Sequence, residues 1–197
     1  MDIGVVGDGP AVEAVSAALG DVDVNVMPVE AGLLDGFDLG VVVDTAGSAT
    51  FATAAAHLDR WIGIEVGGLG GVPLDAIDAA VTVFDETCYD CLCCRVASGE
   101  AEAADAPTGR RSAVRYAGAL AGRRVIRLLA GDPVADTVTE VPGPERTLLP
   151  VPGCGCGADP DDALPRDGEA RSLSAAVDRA ERAVDPRVGP LAEAGEQ

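Results

Sequence analysis

The chain has 197 residues, with 33 acidic against 14 basic ones and a formal net charge of −19; there is no lysine, so every basic residue is an arginine. Such a charge repels nucleic-acid phosphates and anionic lipid heads, which argues against a DNA-binding or membrane-surface role. Apolar residues make up 48 % of the chain although aromatics are only 3 %, too apolar for an acidic disordered polymer, and the interior has to come from Ala, Val, Leu and Gly.

Residues 2–6 (DIGVV) read as a short buried strand, 7–10 as a glycine turn and 11–19 as a helix. Residues 22–26 alternate valine with Asp23 and Asn25, the pattern of a half-exposed strand. Residues 39–43 (LGVVV) form an unbroken apolar run ending at Asp44, which suits a central parallel strand. Ser48 is placed to cap a helix over 49–58, and 61–66 (WIGIEV) is the next strand. These elements predict an α/β fold with an open, mostly parallel, Rossmann-like sheet. Residues 67–73 (GGLGGVP) break the pattern before a strand at 79–84. A short helix through Val96 is expected next, then an acidic, Ala-rich, mobile loop over 99–109.

Residues 110–130 are the longest predicted helix, with Val114, Ala117, Gly118, Ala121, Val125, Leu128 and Leu129 near one face. Gly131 stops it, with Pro133 beyond. Two short strands are expected at 136–141 and 146–151. Residues 158–171 read as an acidic linker, and 173–184 as an amphipathic helix capped by Ser172. The expected organisation is one α/β domain over 1–157, stapled in its C-terminal part, and a linker and helix over 158–197 leading toward a domain absent here. The opening residues carry no signal-peptide pattern and no apolar run reaches membrane-spanning length, so the expected compartment is the cytoplasm.

Six cysteines fall in two groups: Cys88, Cys91, Cys93 and Cys94 in CYDCLCC, then Cys154 and Cys156 in PGCGCG. In a cytoplasmic chain clustered cysteines bind metal more often than they pair. Cys88 and Cys91 form C-x-x-C at the start of a helix, so both sulfurs can face one ion. Cys154 and Cys156 form C-x-C among Gly153, Gly155 and Gly157, which let the backbone turn tightly. Four thiolates from two segments make the closed tetrahedral S4 set that zinc prefers in structural sites. Cys93 or Cys94 could replace one ligand. An iron–sulfur cluster, a redox dithiol at Cys88 and Cys91, and buried free thiols are the other readings.

The glycine turn, Gly4-Val-Val-Gly7-Asp8-Gly9-Pro10-Ala11, sits between strand and helix, where a nucleotide phosphate would bind. Gly7 and Gly9 supply G-x-G, but the third glycine position falls on Val12, Pro10 removes an amide and Asp8 adds a like charge. Glu30 is the nearest acid for a ribose. Gly7, Gly9 and Asp44 therefore stand as a vestigial cofactor site, with a plain strand-to-helix turn as the simpler reading. Asp44, with Thr45 and Ser48, could equally cap the next turn. His57 is the only histidine, which leaves little room for a Ser-His or Cys-His pair.

The order of glycine turn, GGLGG, CYDCL, the helix LAGRRVIRLLAGD and RTLLPVPGCGCG resembles the ubiquitin-activating-enzyme-like (ThiF/MoeB-type) fold. In that family a CYxCL segment and a later C-x-x-C hold a structural zinc; here the second pair is C-x-C. Within the group, residues 1–157 resemble the activating-enzyme-like domain of YcaO-type, azoline-forming cyclodehydratases of thiazole/oxazole-modified microcin biosynthesis, in the same class as bacteriocin maturation proteins. The acidic, lysine-free composition resembles halophilic archaeal proteins. The resemblance implies a scaffold or substrate-presenting domain, not catalytic by itself, with structural Zn2+ on Cys88, Cys91, Cys154 and Cys156. ATP and Mg2+ would belong only to a YcaO-type partner or fused domain, and a ribosomally made precursor peptide would be the substrate. A homodimer stays open. The rival readings are an ATP-dependent adenylating enzyme for a peptide or sulfur-carrier carboxylate, and an NAD(P)-dependent oxidoreductase.

Overall fold

The structure, a computed structural model, describes residues 1–97, 104, 106–132, 134–152, 154 and 156. The chain divides into two compact units, Met1–Gly157 and Ala158–Gln197. The predicted linker and helix after 157, the glycines at 153, 155 and 157, Pro133, and most of the 99–109 loop with its expected mobility lie outside the described residues.

In chain order, β1 (Asp2–Val6) leads to α1 (Gly9–Leu19), β2 (Asn25–Pro28), a 3-10 turn (Ala31–Leu33), β3 (Leu39–Thr45), α2 (Ala49–Ala55) and β4 (Trp61–Val66). A small pair, β5 (Gly68–Leu69) and β6 (Val72–Pro73), precedes β7 (Ala79–Phe84), α3 (Tyr89–Ala97), α4 (Arg111–Leu129), β8 (Thr137–Val141) and β9 (Glu145–Thr147). Seven strands form one sheet in the order β2-β1-β3-β4-β7-β8-β9.

The sheet is mixed, which corrects the expectation of a mostly parallel one. Strands β2, β1, β3 and β4 are parallel, whereas β4–β7, β7–β8 and β8–β9 are antiparallel. The reason lies in residues 67–78. A parallel return needs a crossover, usually a helix, on one face of the sheet. Here the segment folds on itself as the β5–β6 hairpin, and β7 comes straight back along β4, Trp61 opposite Phe84 and Val66 opposite Ala79.

Three strand and helix boundaries also move. Val22 and Val24 are spent in a turn closed by Val22 N–H to Leu19 O and Val24 N–H to Val22 O. Strand β2 starts only at Asn25, whose backbone N–H reaches Met1 O and whose side chain donates to Asp2 at 3.1 Å. Helix α2 has Ser48 as its cap, accepting from Thr50 N–H at 3.2 Å, but it stops at Ala55 because Leu58 turns into the core. The last strand ends at Thr147, and the residues after it turn toward α3.

Alternation along the strands sorts side chains onto two faces. On one, Ile3, Val5, Val41, Val43, Ile62, Ile64, Val81 and Val83 meet Ala11, Val15 and Leu19 of α1 and Val114, Ala117, Ala121 and Val125 of α4. The two helices press together through glycine. A Cβ on Gly118 would stand 2.2 Å from the Ala11 carbonyl oxygen, and one on Gly122 would stand 2.5 Å from the Ala18 Cβ. The other face holds Val42, Phe51, Trp61, Phe84, Tyr89 and Leu92. Four of the six aromatic residues meet there, with ring centroids 4.2 Å apart for Trp61–Phe84 and 5.6 Å for Phe51–Tyr89. Packing at Gly118 predicts that Gly118→Val destabilises the domain by about 1–3 kcal/mol, the cost of overfilling a close-packed contact. Urea unfolding followed by circular dichroism checks this; an unchanged midpoint would show that α1 and α4 have room to separate.

Candidate metal centre

The sulfur cluster is assembled from two segments that reach the same place by different means. Cys88 stands immediately before α3 and Cys91 lies in its first turn. Between and beside them, Tyr89 and Leu92 are buried among the aromatics and hold the helix against the sheet. The second segment leaves β9 with Leu148 buried, its N–H on Asp136 O at 2.9 Å. Arg95 then fixes it: Nε donates to Leu149 O at 2.7 Å and Nη2 to Pro150 O at 2.9 Å. These carbonyls turn to a guanidinium instead of a strand partner, which is why the predicted strand over 146–151 is cut short. The N–H of Val151 donates to Cys91 Sγ at 3.1 Å, and Cys154 N–H closes a turn on Val151 O at 3.0 Å.

The result brings Cys88, Cys91, Cys154 and Cys156 together, with all four Sγ atoms within 4.8 Å of one another. Cys88 and Cys154 sulfurs are 3.4 Å apart and those of Cys91 and Cys156 3.3 Å. Disulfide bonding needs about 2.05 Å, so these are free thiols. Four thiolates around one ion at bonds of about 2.3 Å stand about 3.8 Å apart, a spacing that the observed contacts bracket. The donor set thus fits a single metal ion with no open position for water or substrate. At Cys91 burial pushes the thiol up, but the Val151 N–H and the neighbouring sulfurs outweigh it and hold the thiol below its ordinary value. Cys154 is pushed up by its sulfur neighbours, and Cys156 mainly by burial. A cation at the centre would favour all four thiolates at once.

Cys93 and Cys94 are not part of the cluster. Cys94 is exposed, whereas Cys93 faces inward and its thiol is pushed up to about 11, by burial first and then by the charge of Glu65. That glutamate is the residue sequence reasoning missed. It is 2 % exposed, on the same side of β4 as Trp61 and Gly63. Its carboxylate accepts from the N–H groups of Gly70 at 2.7 Å and Gly71 at 2.8 Å and from the Tyr89 hydroxyl at 3.0 Å. Both glycines have positive φ, which allows two consecutive amides to converge on one carboxylate. The signal was present as an acid at an inward position of WIGIEV just before GGLGG.

The fold does bring Gly7, Gly9 and Asp44 to the carboxyl ends of β1 and β3, where the chain order switches sides and open α/β sheets bind ligands. Their chemistry there is local. Gly7 has φ +104° and packs so closely that a Cβ would lie 2.1 Å from Val43 O. Asp8 makes no side-chain cap to α1, and Pro10 occupies its first turn. Asp44 accepts from Thr50 Oγ1 at 2.6 Å, Ser48 Oγ at 2.7 Å and Thr45 N–H at 2.7 Å. Burial raises its pKa, but these donors outweigh burial and hold the carboxyl below the usual carboxylate range. Glu30 precedes the 3-10 turn and does not cap it through its side chain. His57 Nδ1 lies 3.0 Å from an Asp35 carboxylate oxygen. No helix among the described residues is long and apolar enough to cross a membrane.

No family model matches the chain, and no curated protein is similar enough to match it.

Burial pushes the Glu65 carboxyl above its ordinary value of 4.5, with its three donors opposing the shift. A folded-state value above the unfolded one means that the folded chain keeps this proton longer, so stability falls as pH rises from about 4.5 through the folded-state value. Glu65→Gln is expected to remove that slope. It also puts an amide NH2 against a glycine N–H, costing about 1–3 kcal/mol for the unsatisfied buried donors. Urea midpoints of both proteins between pH 4 and 8 read out the two effects; parallel pH profiles would contradict the first.

Proposed function

We propose that the chain is a noncatalytic, zinc-stapled α/β domain of a YcaO-type peptide cyclodehydratase. It acts in the cytoplasm as a scaffold that presents a ribosomally made precursor peptide. Zn2+ is held by Cys88, Cys91, Cys154 and Cys156 and supplies cohesion, since four sulfur ligands leave no position for a reacting group. ATP and Mg2+ belong to the YcaO-type partner. The reading is carried by the convergence of the four sulfurs from two segments that stand 66 residues apart at Cys88 and Cys154. The turn at the carboxyl end of β1 supports the noncatalytic part. Asp44 is committed to the Ser48 and Thr50 hydroxyls and the Thr45 N–H, Pro10 offers no amide, and no lysine exists to neutralise a triphosphate.

Two measurements test it. Cys88→Ser is expected to lower bound zinc and the melting temperature together, while Cys94→Ser leaves both unchanged. Full zinc stoichiometry in Cys88→Ser, read by atomic emission, would sink the ligand assignment. For the role itself, precursor peptide, ATP and a YcaO-type protein are combined with and without the chain, and loss of water per ring is read by mass. Ring formation is expected to rise only with the chain present. ATP–pyrophosphate exchange by the chain alone would instead establish the adenylating reading.

A further inference from the structure

The exposed side of α4 departs from the rest of the molecule in charge and in composition. Its 19 residues carry Arg111, Arg115, Arg123, Arg124 and Arg127 and no acid, in a chain with 33 acidic and only 14 basic residues. The inward side is used up by α1 and the sheet, and Arg124 is itself buried and paired with Glu145. At 100° per residue the outward arc presents Arg115, Tyr116, Arg123, Ile126 and Arg127 as one stripe. Tyr116 is 61 % exposed and Ile126 37 %; among the described residues, the other large apolar side chains so exposed are Met1, Leu33 and Leu149.

Local neutralisation does not account for the stripe. Arg115 has Glu13 at 2.8 Å and Arg127 has Asp132 at 3.4 Å, both exposed pairs of little stabilising value. Arg123 has no carboxylate partner among the described residues. Arginine and tyrosine on a helix that itself carries no Asp, Glu or Lys, with Glu13 and Asp132 only at the margins of the stripe, is the composition of a protein interface and of its energetic centre. On a surface that is otherwise acidic, an outward tyrosine and isoleucine among arginines have no evident solvation benefit.

We propose that this face of α4 docks an acidic, amphipathic segment of another protein, its carboxylates on Arg115, Arg123 and Arg127 and its apolar side chains on Tyr116 and Ile126. Arg115 and Arg127 are separated by about 18 Å along the axis at 1.5 Å per residue, room for a helix of about three turns. Charge decides between occupants. A second copy packed by a two-fold axis would set the same arginines against each other. A long phosphate backbone would extend beyond the stripe into the field of a chain with net charge −19. A short carboxylate-bearing segment stays within about a Debye length, roughly 8 Å, of the arginines. This inference rests on α4 alone and is independent of the cyclodehydratase reading.

The test uses the full chain and a fluorescein-labelled synthetic peptide with Glu and Leu at helical spacing, followed by anisotropy. The expected result is saturable binding that weakens with salt, lost about tenfold or more in Arg123→Glu and in Tyr116→Ala, the order expected of interface centre residues. The control Arg146→Glu, on β9, binds as the parent does. Tyr116→Ala keeps the charge, so its loss separates a docking face from a diffuse field, and circular dichroism verifies that each variant is folded. Three outcomes overturn the proposal: equal loss in Arg146→Glu, equal binding of a single-stranded oligonucleotide, or a dimer of the parent chain that Arg123→Glu dissociates.

Discussion

A carboxylate placed inside the sheet's aromatic face organises this molecule. Glu65 would be costly there without partners, since a buried charge loses its hydration. It is met by two glycine amides and a tyrosine hydroxyl, and the amides and the hydroxyl belong to different tasks. The amides of Gly70 and Gly71 fold the loop after β4 into its small hairpin. The hydroxyl belongs to Tyr89, whose ring packs with Phe51, Trp61 and Phe84 and whose chain neighbour is Cys88. One ion-sized group therefore fixes the reversal of the chain, seats α3 on the sheet and aims the first cysteine pair.

The opposite side of the cluster is built with weaker parts. The described residues between 148 and 156 have no strand partner and depend on Arg95, on the Leu148 side chain and on the N–H of Val151. Such a segment has little burial to offset its conformational entropy. A metal bound by two sulfurs from each side would join the well-anchored helix to the lightly anchored loop, which is the arrangement in which a staple contributes most.

Much of the first half was legible because periodicity there has one explanation. The runs at 2–6, 39–43, 61–66 and 79–84 are apolar on both sides because both faces of the sheet are covered. The long helix was legible from Val114 through Val125 for the same reason. Strand direction was not, because an apolar run looks the same whichever way it runs; only the fold of 67–78 decides it. The cysteine spacing pointed to the four clustered sulfurs, but not to Arg95, whose role depends on carbonyls that any residues could supply. Glu65 was not legible because both faces of its strand are covered, so alternation alone does not mark which positions meet the aromatic layer. The stripe on α4 was written in the arginine spacing, yet its outward direction required knowing that α1 covers the other side.

The reversal after β4 has a spatial consequence. Phe84 pairs with Trp61 and Thr147 with Thr137, so the segments bearing the sulfurs leave the sheet near the amino end of β4. The glycine turn and Asp44 lie at the carboxyl ends of β1 and β3, about 20 Å away for a six-residue strand. The clasp and the crevice thus occupy opposite poles of one platform. Drift in the loops at either pole leaves the other's geometry undisturbed, and a lineage built on this frame is free to rewrite one without unmaking the other.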